Sequence, residues 1–389
     1  MNRVYVVTCP DYDQVPVKMY ELLCMAGGIG RFVQRGERVV LKPNLLIPAK
    51  PEKAVTTHPT VVAAIGKMVS DRGARTLLVD SPGSGYRYNK KTLDRVYEVC
   101  GMRDAARSAG FDLNRDVTYR PVSHPRGVLI KRFEIITPIL EADCIINLCK
   151  MKTHVFTSMT GAVKNIFGVI PGYTKPGYHA KLRDRQYFAG MLLDLCTFVS
   201  PRLSIMDAVI GMEGNGPNAG TPCTVGLLLA SENPLAVDVV AGEIMGIRRH
   251  LNPLLLEAER RGMTPHRIED VEIIGSAIED IRMPGFKTPG AMRGGTGFGS
   301  MSWSASVIRR GFNVSPRVIR ERCVSCGVCE RACPVDAITM PEERPASIDI
   351  TACIRCYCCH EMCPEDAIEL QTGPLYRLFR GKMDVRAHR

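Results

Sequence analysis

The sequence predicts a large α/β unit, with a mostly parallel sheet flanked by helices, followed by a small α+β unit. Two observations predict this division. Up to residue 281, apolar runs of strand length alternate with amphipathic stretches of helical length, which is typical of βαβ units. Nine of the 16 cysteines then crowd between Cys323 and Cys363.

The α/β pattern can be followed element by element. Runs rich in Val, Ile and Leu predict strands at residues 3–8, 38–42, 76–80, 144–148, 203–206, 225–230 and 271–274. Helical spacing of apolar residues predicts helices at 15–25, 60–73, 93–110, 158–168, 188–199 and 234–246. Gly73 and Gly110 stand where helix C-caps are expected.

The alternation stops at Arg282. A stretch rich in Gly, Ser and Pro runs to Arg320 with seven basic residues and no acidic one, as in a linker or wrapping loop. We therefore assign residues 1–281 to the α/β domain, 282–314 to a basic linker, 315–372 to the cysteine-rich domain and 373–389 to a basic tail.

The cysteines form an internal repeat. Two copies of C-x₂-C-x₂-C-x₃-C-P begin at Cys323 and Cys353. Three thiolates at this spacing on a tight loop can occupy three corners of an iron–sulfur cubane, while the fourth cysteine, expected to start a helix, points at the other cluster. Zinc could also bind four thiolates, but two tandem copies with exchanged fourth ligands favour two [4Fe–4S] clusters. The predicted ligands are Cys323, Cys326, Cys329 and Cys363 for one cluster, and Cys353, Cys356, Cys359 and Cys333 for the other.

This segment resembles the bacterial two-[4Fe–4S] ferredoxins over about 55 residues. The resemblance implies low-potential, one-electron transfer between two nearby clusters. Gly327 suits the close backbone approach of such a loop, and the second copy has the bulkier Tyr357 there. Cys358, next to a predicted ligand, is expected to be a small buried apolar side chain.

Polar residues follow several predicted strands of the α/β domain. Ligands of open α/β sheets bind outside the carboxyl ends of the strands, so these positions are candidates for a site that binds a carboxylate or phosphate. Candidate catalytic residues are Lys152, His154, Lys164 and His179. Candidate ligand-binding residues are Lys42, Asn44, Asp80, Asn165, Asp207 and Glu213. Each residue alone could equally be structural, and Asp238 could simply interact with a helix N-terminus.

Several stretches resemble domain-of-unknown-function family 362. They include VVLKPNLL, INLCKMKTH, TGAVKNIFG and NPLAVDVVAGEIMG, and together they span most of residues 35–247. Fusion to a two-cluster ferredoxin domain is also typical of the family. The resemblance implies an iron–sulfur, oxidoreductase-like protein without an established substrate or proven catalytic residues.

Net charge and composition disfavour some classes of partner but do not select a single one. The net charge of +11 favours acidic partners in general. Nucleic acid is disfavoured because aromatic residues are only 6% and do not interleave with the basic ones. No apolar run is long enough for a transmembrane segment, and no secretory signal opens the sequence, so we expect a cytoplasmic protein.

Three functions remain open. The favoured one is an iron–sulfur protein that passes single electrons to or from a ligand, cofactor or partner protein held by the α/β domain, with a flavin as one conceivable acceptor. The second is a non-redox enzyme for a small anionic substrate, with structural clusters and an optional divalent metal. The third is an electron-carrying adaptor subunit of a larger complex.

Overall fold

The computed structural model describes residues 2–289, 314–342 and 345–373. The greater part of the predicted linker and all but the first residue of the predicted tail therefore lie outside the described residues. The strands are β1 Asn2–Thr8, β2 Arg38–Lys42, β3 Arg75–Leu78, β4 Asp112–Leu113, β5 Tyr119–Ser123, β6 Arg132–Ile136, β7 Cys144–His154, β8 Ser158–Thr160, β9 Leu203–Glu213, β10 Thr221–Ser231, β11 Val271–Gly275, β12 Val314–Val318, β13 Ile338–Thr339, β14 Ser347–Ile348 and β15 Ile368–Thr372. The α-helices are α1 Val15–Met25, α2 Pro59–Asp71, α3 Lys90–Val99, α4 Met102–Ala109, α5 Thr137–Leu140, α6 Ala162–Asn165, α7 Lys175–Lys181, α8 Arg185–Val199, α9 Pro234–Ile244, α10 Pro253–Arg260, α11 Ile278–Ile281, α12 Val328–Ala332 and α13 Cys358–Met362.

A nine-stranded sheet organises the α/β domain. Its order is β11-β1-β10-β9-β7-β2-β3-β4, and the short β8 pairs with β7. Strand β10 runs antiparallel to β1 and β9, and β8 runs antiparallel to β7, whereas the other neighbouring pairs are parallel. The predicted mostly parallel sheet is thus confirmed.

Helices cover both faces of this sheet. Alternate residues of a strand face opposite sides, so Val39 and Leu41 of β2 pack with helices α1 to α4, whereas Val40 packs with α8 and α10. Helix α9 covers the part of the second face formed by β9 and β10. None of the helices in the described ranges has the length and apolar character needed to cross a membrane.

Two predicted helices are wrong in detail. The one predicted at 93–110 is two helices, because Gly101 adopts the left-handed conformation (φ 72°) and separates α3 from α4. The one predicted at 158–168 consists of β8, the single turn α6 and a 3₁₀ turn at Ile166–Val169. Gly161 lies between β8 and α6, where a Cβ atom would come within 2.0 Å of the Asp238 carboxylate.

Three predicted strands are too short. Strand β7 continues to His154, β9 to Glu213, and β10 begins at Thr221. The strand predicted at 144–148 ends before Lys150 and Lys152, yet every residue of β7 is buried. The lysines belong to the strand because the neighbouring elements supply polar partners for both ammonium groups.

The cysteine-rich domain, which we call the module, repeats its backbone as it repeats its sequence. Ser325 and Arg355 both have positive φ (55° and 58°), as do Gly327 and Tyr357 (71° and 62°). The single-turn helices α12 and α13 each end before the fourth cysteine of their repeat, so the expectation that this cysteine starts a helix is wrong. Cys333 and Cys363 are extended, as a following proline requires.

The module packs directly on the α/β domain. Ile47, Val55 and Met212 form one buried apolar cluster with Val328 and Met362 of the module. Polar contacts also cross the interface: the Asn218 side-chain amide donates to the Cys363 carbonyl (2.6 Å), and His360 Nε2 lies 3.0 Å from the Asn215 carbonyl. Gly83 approaches so closely that a Cβ atom there would lie 2.4 Å from the Met362 sulfur.

Candidate functional site

A polar cavity lies where the carboxyl ends of β2, β3 and β7 meet the module. About 510 Å³ of space outside the protein atoms lies within and in front of it, including open solvent. Its charged and imidazole-bearing lining residues are Lys42, Asp80, Lys152, Lys164, Lys175, His179 and Glu361. Four lysines against two carboxylates leave an excess of two positive charges when every lysine is protonated.

One wall of the cavity is a hydrogen-bonded network. The Lys42 ammonium donates to Asp80 (2.8 Å) and lies 3.4 Å from the side-chain oxygen of Asn165. That oxygen also accepts from the side-chain amide of Asn44 (2.9 Å). Asp80 accepts from the Leu45 amide as well (2.7 Å). These predicted residues are brought together, and their contacts fix one another in place.

Two further lysines have no carboxylate beside them. Lys152 donates to the Asn44 side-chain oxygen (2.9 Å) and the Val55 carbonyl (2.6 Å). Lys175 donates to the carbonyls of Ser81 (2.6 Å) and Pro82 (2.5 Å). Burial, the largest cause, lowers the pKa of each lysine from 10.5 to about 7, because the charged form is poorly solvated inside the protein.

Glu361 enters the cavity from helix α13 of the module. Its carboxylate lies 3.5 Å from His154 Nε2 and 3.8 Å from the Lys164 ammonium. Burial alone would raise the pKa of this carboxyl, but Lys164, His154 and His179 together outweigh it and hold the pKa well below its usual range. Glu361 is therefore ionised and completes the cavity from the module's side.

Two buried polar atoms around the cavity have no hydrogen-bond partner among the described residues: His179 Nδ1 and Thr160 Oγ1. A third, His154 Nε2, has only the Glu361 carboxylate, at 3.5 Å. His154 Nδ1 accepts from the Phe156 amide (3.0 Å), so the neutral ring carries its proton on Nε2. His179 stacks on Phe188 with ring centroids 4.4 Å apart. Burial lowers the pKa of His154 to about 3 and of His179 to about 4. Buried orphan atoms of this kind call for an additional polar partner.

Two of the predicted ligand-binding residues lie elsewhere. Asp207 accepts from the ammonium of Lys150 (2.7 Å) and from the Tyr12 hydroxyl, which makes it part of a separate buried network. Glu213 pairs with Lys287 (3.0 Å). Asp238 accepts from the Ala162 and Val163 amides, at the start of α6 and not of its own helix.

Sequence reasoning missed Lys175 and Glu361. Lys175 lies on α7, whose sequence KPGYHAK gives no sign of burial. Glu361 belongs to the cysteine-rich segment, where the sequence motif identifies only the sulfur ligands. Its helical position two residues after Cys359 could have indicated a side chain aimed away from that loop.

Two small cavities in the module are lined by cysteines in the predicted crosswise sets. Cys323, Cys326, Cys329 and Cys363 line one, of about 350 Å³. Cys333, Cys353, Cys356 and Cys359 line the other, of about 300 Å³. The donor sets therefore fit Cys₄-ligated [4Fe–4S] clusters. In the described ranges, no three His, Cys, Asp or Glu side chains converge tightly enough for a single metal ion.

Backbone amides already point at some of these sulfurs. The Ala337 amide donates to Cys333 Sγ and the Ala367 amide to Cys363 Sγ, both at 3.2 Å. The Arg355 amide donates to Cys353 Sγ (3.4 Å). Hydrogen bonds to ligating sulfur stabilise the thiolate form and tune the potential of a bound cluster.

The fold and these sites define an iron–sulfur protein in which a polar cavity adjoins a cysteine-rich module. A 4Fe–4S binding domain matches residues 316–339. The family described as "Domain of unknown function (DUF362)" matches residues 39–243, and the chain belongs to this family.

Known proteins that the chain resembles include one from a cyanobacterium and one solved structure. A thylakoid-associated protein of Synechocystis sp. is 34% identical over 260 residues, which cover 64% of this chain and 75% of that protein. The lactate racemase apoprotein from Thermoanaerobacterium thermosaccharolyticum overlaps 63% of this chain and 57% of its own, with 11% identity and a TM-score of 0.41. The chain thus spans little more than half of that structure, and so loose a likeness carries no argument about activity.

Proposed function

We propose that the protein binds two [4Fe–4S] clusters in the module and passes single electrons to or from a small anionic ligand in the polar cavity. One observation carries the proposal: helix α13 holds both Cys359, a ligand of the second cysteine set, and Glu361, which forms a wall of the cavity. A ligand in the cavity would therefore lie next to the second cluster.

The two cysteine loops differ in exposure. Cys326 of the first loop is exposed, and the neighbouring Val324 side chain is 62% exposed. Cys356, at the matching position of the second loop, is half-buried and packs on the apolar cluster that joins the module to the α/β domain. We infer that a redox partner protein contacts the first loop, and that the second loop serves the cavity.

The cavity residues would hold and polarise the ligand. Lys152, Lys164 and Lys175 would bind its negative charge. The neutral His154 ring directs its Nε2 proton at the Glu361 carboxylate (3.5 Å) and would help to hold that side chain in the cavity wall. None of the 16 cysteines, which all lie in the described ranges, forms a disulfide, which supports a role in a reducing compartment such as the cytoplasm.

Redox titration under anaerobic conditions tests the proposal, with electron paramagnetic resonance to follow each cluster and sulfate as the probe anion. An anion in the cavity should lower the midpoint potential of the second cluster, because negative charge nearby disfavours a further electron. Glu361→Gln should raise that potential. Glu330→Gln, on the exposed face of α12, is the matched control and should change it little.

If sulfate binds and neither potential responds, cavity and clusters are not coupled. That result would favour the second candidate, an enzyme for a small anion with structural clusters. The tight packing of Val328 and Met362 on the α/β domain is the observation that supports this alternative.

A further inference from the structure

We propose that the ligand of the cavity is a small dianion, a phosphate-like or dicarboxylate group held between Lys152 and Lys175. This inference rests on the proposed function only in taking the cavity as the ligand site. It concerns the charge of the ligand and does not depend on electron transfer.

The first argument is the pairing of the four cavity lysines. Lys42 has Asp80 at 2.8 Å, and Lys164 has Glu361 at 3.8 Å. Lys152 and Lys175 meet no carboxylate within ion-pair distance among the described residues, and their partners are neutral oxygens. Two of the four lysines thus have a carboxylate as counter-ion, and the other two have none from the described residues and could pair with a bound anion.

The second argument is the burial of those two lysines. Lys152 is 1% exposed and Lys175 is 4% exposed, so water cannot solvate a full charge on either. A buried ammonium without a counter-ion is costly. A folded protein that retains two of them in one cavity is adapted to a partner that brings two negative charges.

The third argument is the orphan polar atoms. His179 Nδ1 and Thr160 Oγ1 belong to cavity-lining residues, are buried, and have no partner in the described part of the chain. Oxygen atoms of a phosphate or carboxylate could accept from the Thr160 hydroxyl. These orphan atoms therefore indicate an oxygen-bearing anion, and the two lysines without a carboxylate indicate its charge.

Binding should therefore take up protons. The groups that act on the two lysines are Lys42, Lys150, Asp80, Lys164 and Glu361. With a pKa of about 7 each lysine is about half protonated at pH 7. A dianion stabilises the charged form of both, so the complex should gain about one proton in total at that pH.

The experiment is isothermal titration calorimetry on the full-length, cluster-loaded protein under anaerobic conditions. Sulfate serves as the tetrahedral dianion, malonate as the dicarboxylate and acetate as the monoanion, at matched ionic strength. Repeating each titration at pH 7 in two buffers of different ionisation enthalpy measures the protons taken up. We expect sulfate or malonate to bind at least about tenfold more tightly than acetate, and the stronger of the two identifies the ligand's geometry.

Lys152→Met and Lys175→Met should each weaken binding of the preferred dianion about tenfold or more and reduce the proton uptake. Lys181→Met is the matched control, since Lys181 is exposed on the same helix as Lys175, and it should bind as the wild type does. Visible absorbance of the clusters and the unfolding midpoint verify that each variant is folded.

The inference is overturned if acetate binds as tightly as both dianions, if binding takes up no protons, or if the two buried-lysine variants bind like the wild type. Because these readouts use the oxidised protein, they are independent of the redox titration. Dianion binding with unresponsive cluster potentials would sustain the ligand class and reject the electron-transfer function.

Discussion

Replacing Lys152 by methionine should change how the stability of the protein depends on pH. The side chain is 1% exposed, and burial lowers the pKa of its ammonium from 10.5 to about 7. Between these two values the unfolded chain binds more protons at this position than the folded chain does, so folding gains stability as the pH rises. The gain is complete above 10.5 and is lost as the pH falls to about 7.

The size of this effect follows from the proton difference. At pH 7 the unfolded chain holds about half a proton more at Lys152, and at pH 8.5 about one more, so the wild type should gain about 1.5 kcal/mol relative to Lys152→Met between these pH values. The variant keeps the length of the side chain but has no charge to desolvate. Of the pH values measured, the free energy of unfolding of the variant relative to that of the wild type should therefore be highest at pH 6.

Denaturant unfolding of both proteins at pH 6, 7 and 8.5, with clusters loaded and oxygen excluded, measures the difference. Lys181→Met, which removes an exposed lysine, should show the same pH dependence as the wild type. A constant stability difference between Lys152→Met and the wild type across this range would mean that Lys152 titrates normally. The assignment of a poorly solvated ammonium to the cavity would then be wrong.

Three other changes have clear expected outcomes. Gly161→Ala should destabilise the protein by roughly 3 kcal/mol or more, because its Cβ would displace the Asp238 carboxylate from two buried amides. Denaturant unfolding midpoints measure this loss. Gly177→Ala is the control, because a Cβ atom there meets nothing within 4 Å. Cys359→Ala should lose one cluster by iron and sulfide analysis, whereas the neighbouring Cys358→Ala should keep both, and equal iron in the two variants would contradict the ligand assignment. Asn218→Ala should increase the rate of proteolysis of the module about tenfold, because it removes a buried hydrogen bond of about 1.4 kcal/mol from the interface. Unchanged cleavage would show that the apolar contacts alone hold the module in place.

Local sequence patterns predicted the sheet, and they group the cysteines as the two cavities of the module do. Both patterns depend on short-range information. Alternating apolar runs identify strands wherever the strand is apolar throughout. The repeat from Cys323 to Pro364 carries its geometry in its spacing. Strand β7 shows the limit, because buried lysines look like loop residues until the elements that supply their partners are known.

The candidate site could be predicted only in part for the same reason. Lys42, Asn44 and Asp80 follow strand ends, and sheet topology brings strand ends together. Asp207 follows a strand as well, but Lys150 and Tyr12 neutralise it in a neighbouring network. Glu361 reaches the cavity from a different domain, and no periodicity within either segment reports a contact across some 200 residues of sequence.

The position of Glu361 makes one wall of the cavity depend on the state of the cysteine-rich module. The α13 turn that carries it is framed by cysteines on both sides, so we expect bound clusters to stabilise its course. A chain that has not received its iron, or has been stripped of it by oxygen, would lack one side of its ligand chamber. We expect such a chain to bind a dianion more weakly, because water would reach Lys152 and Lys175 and screen their attraction for it.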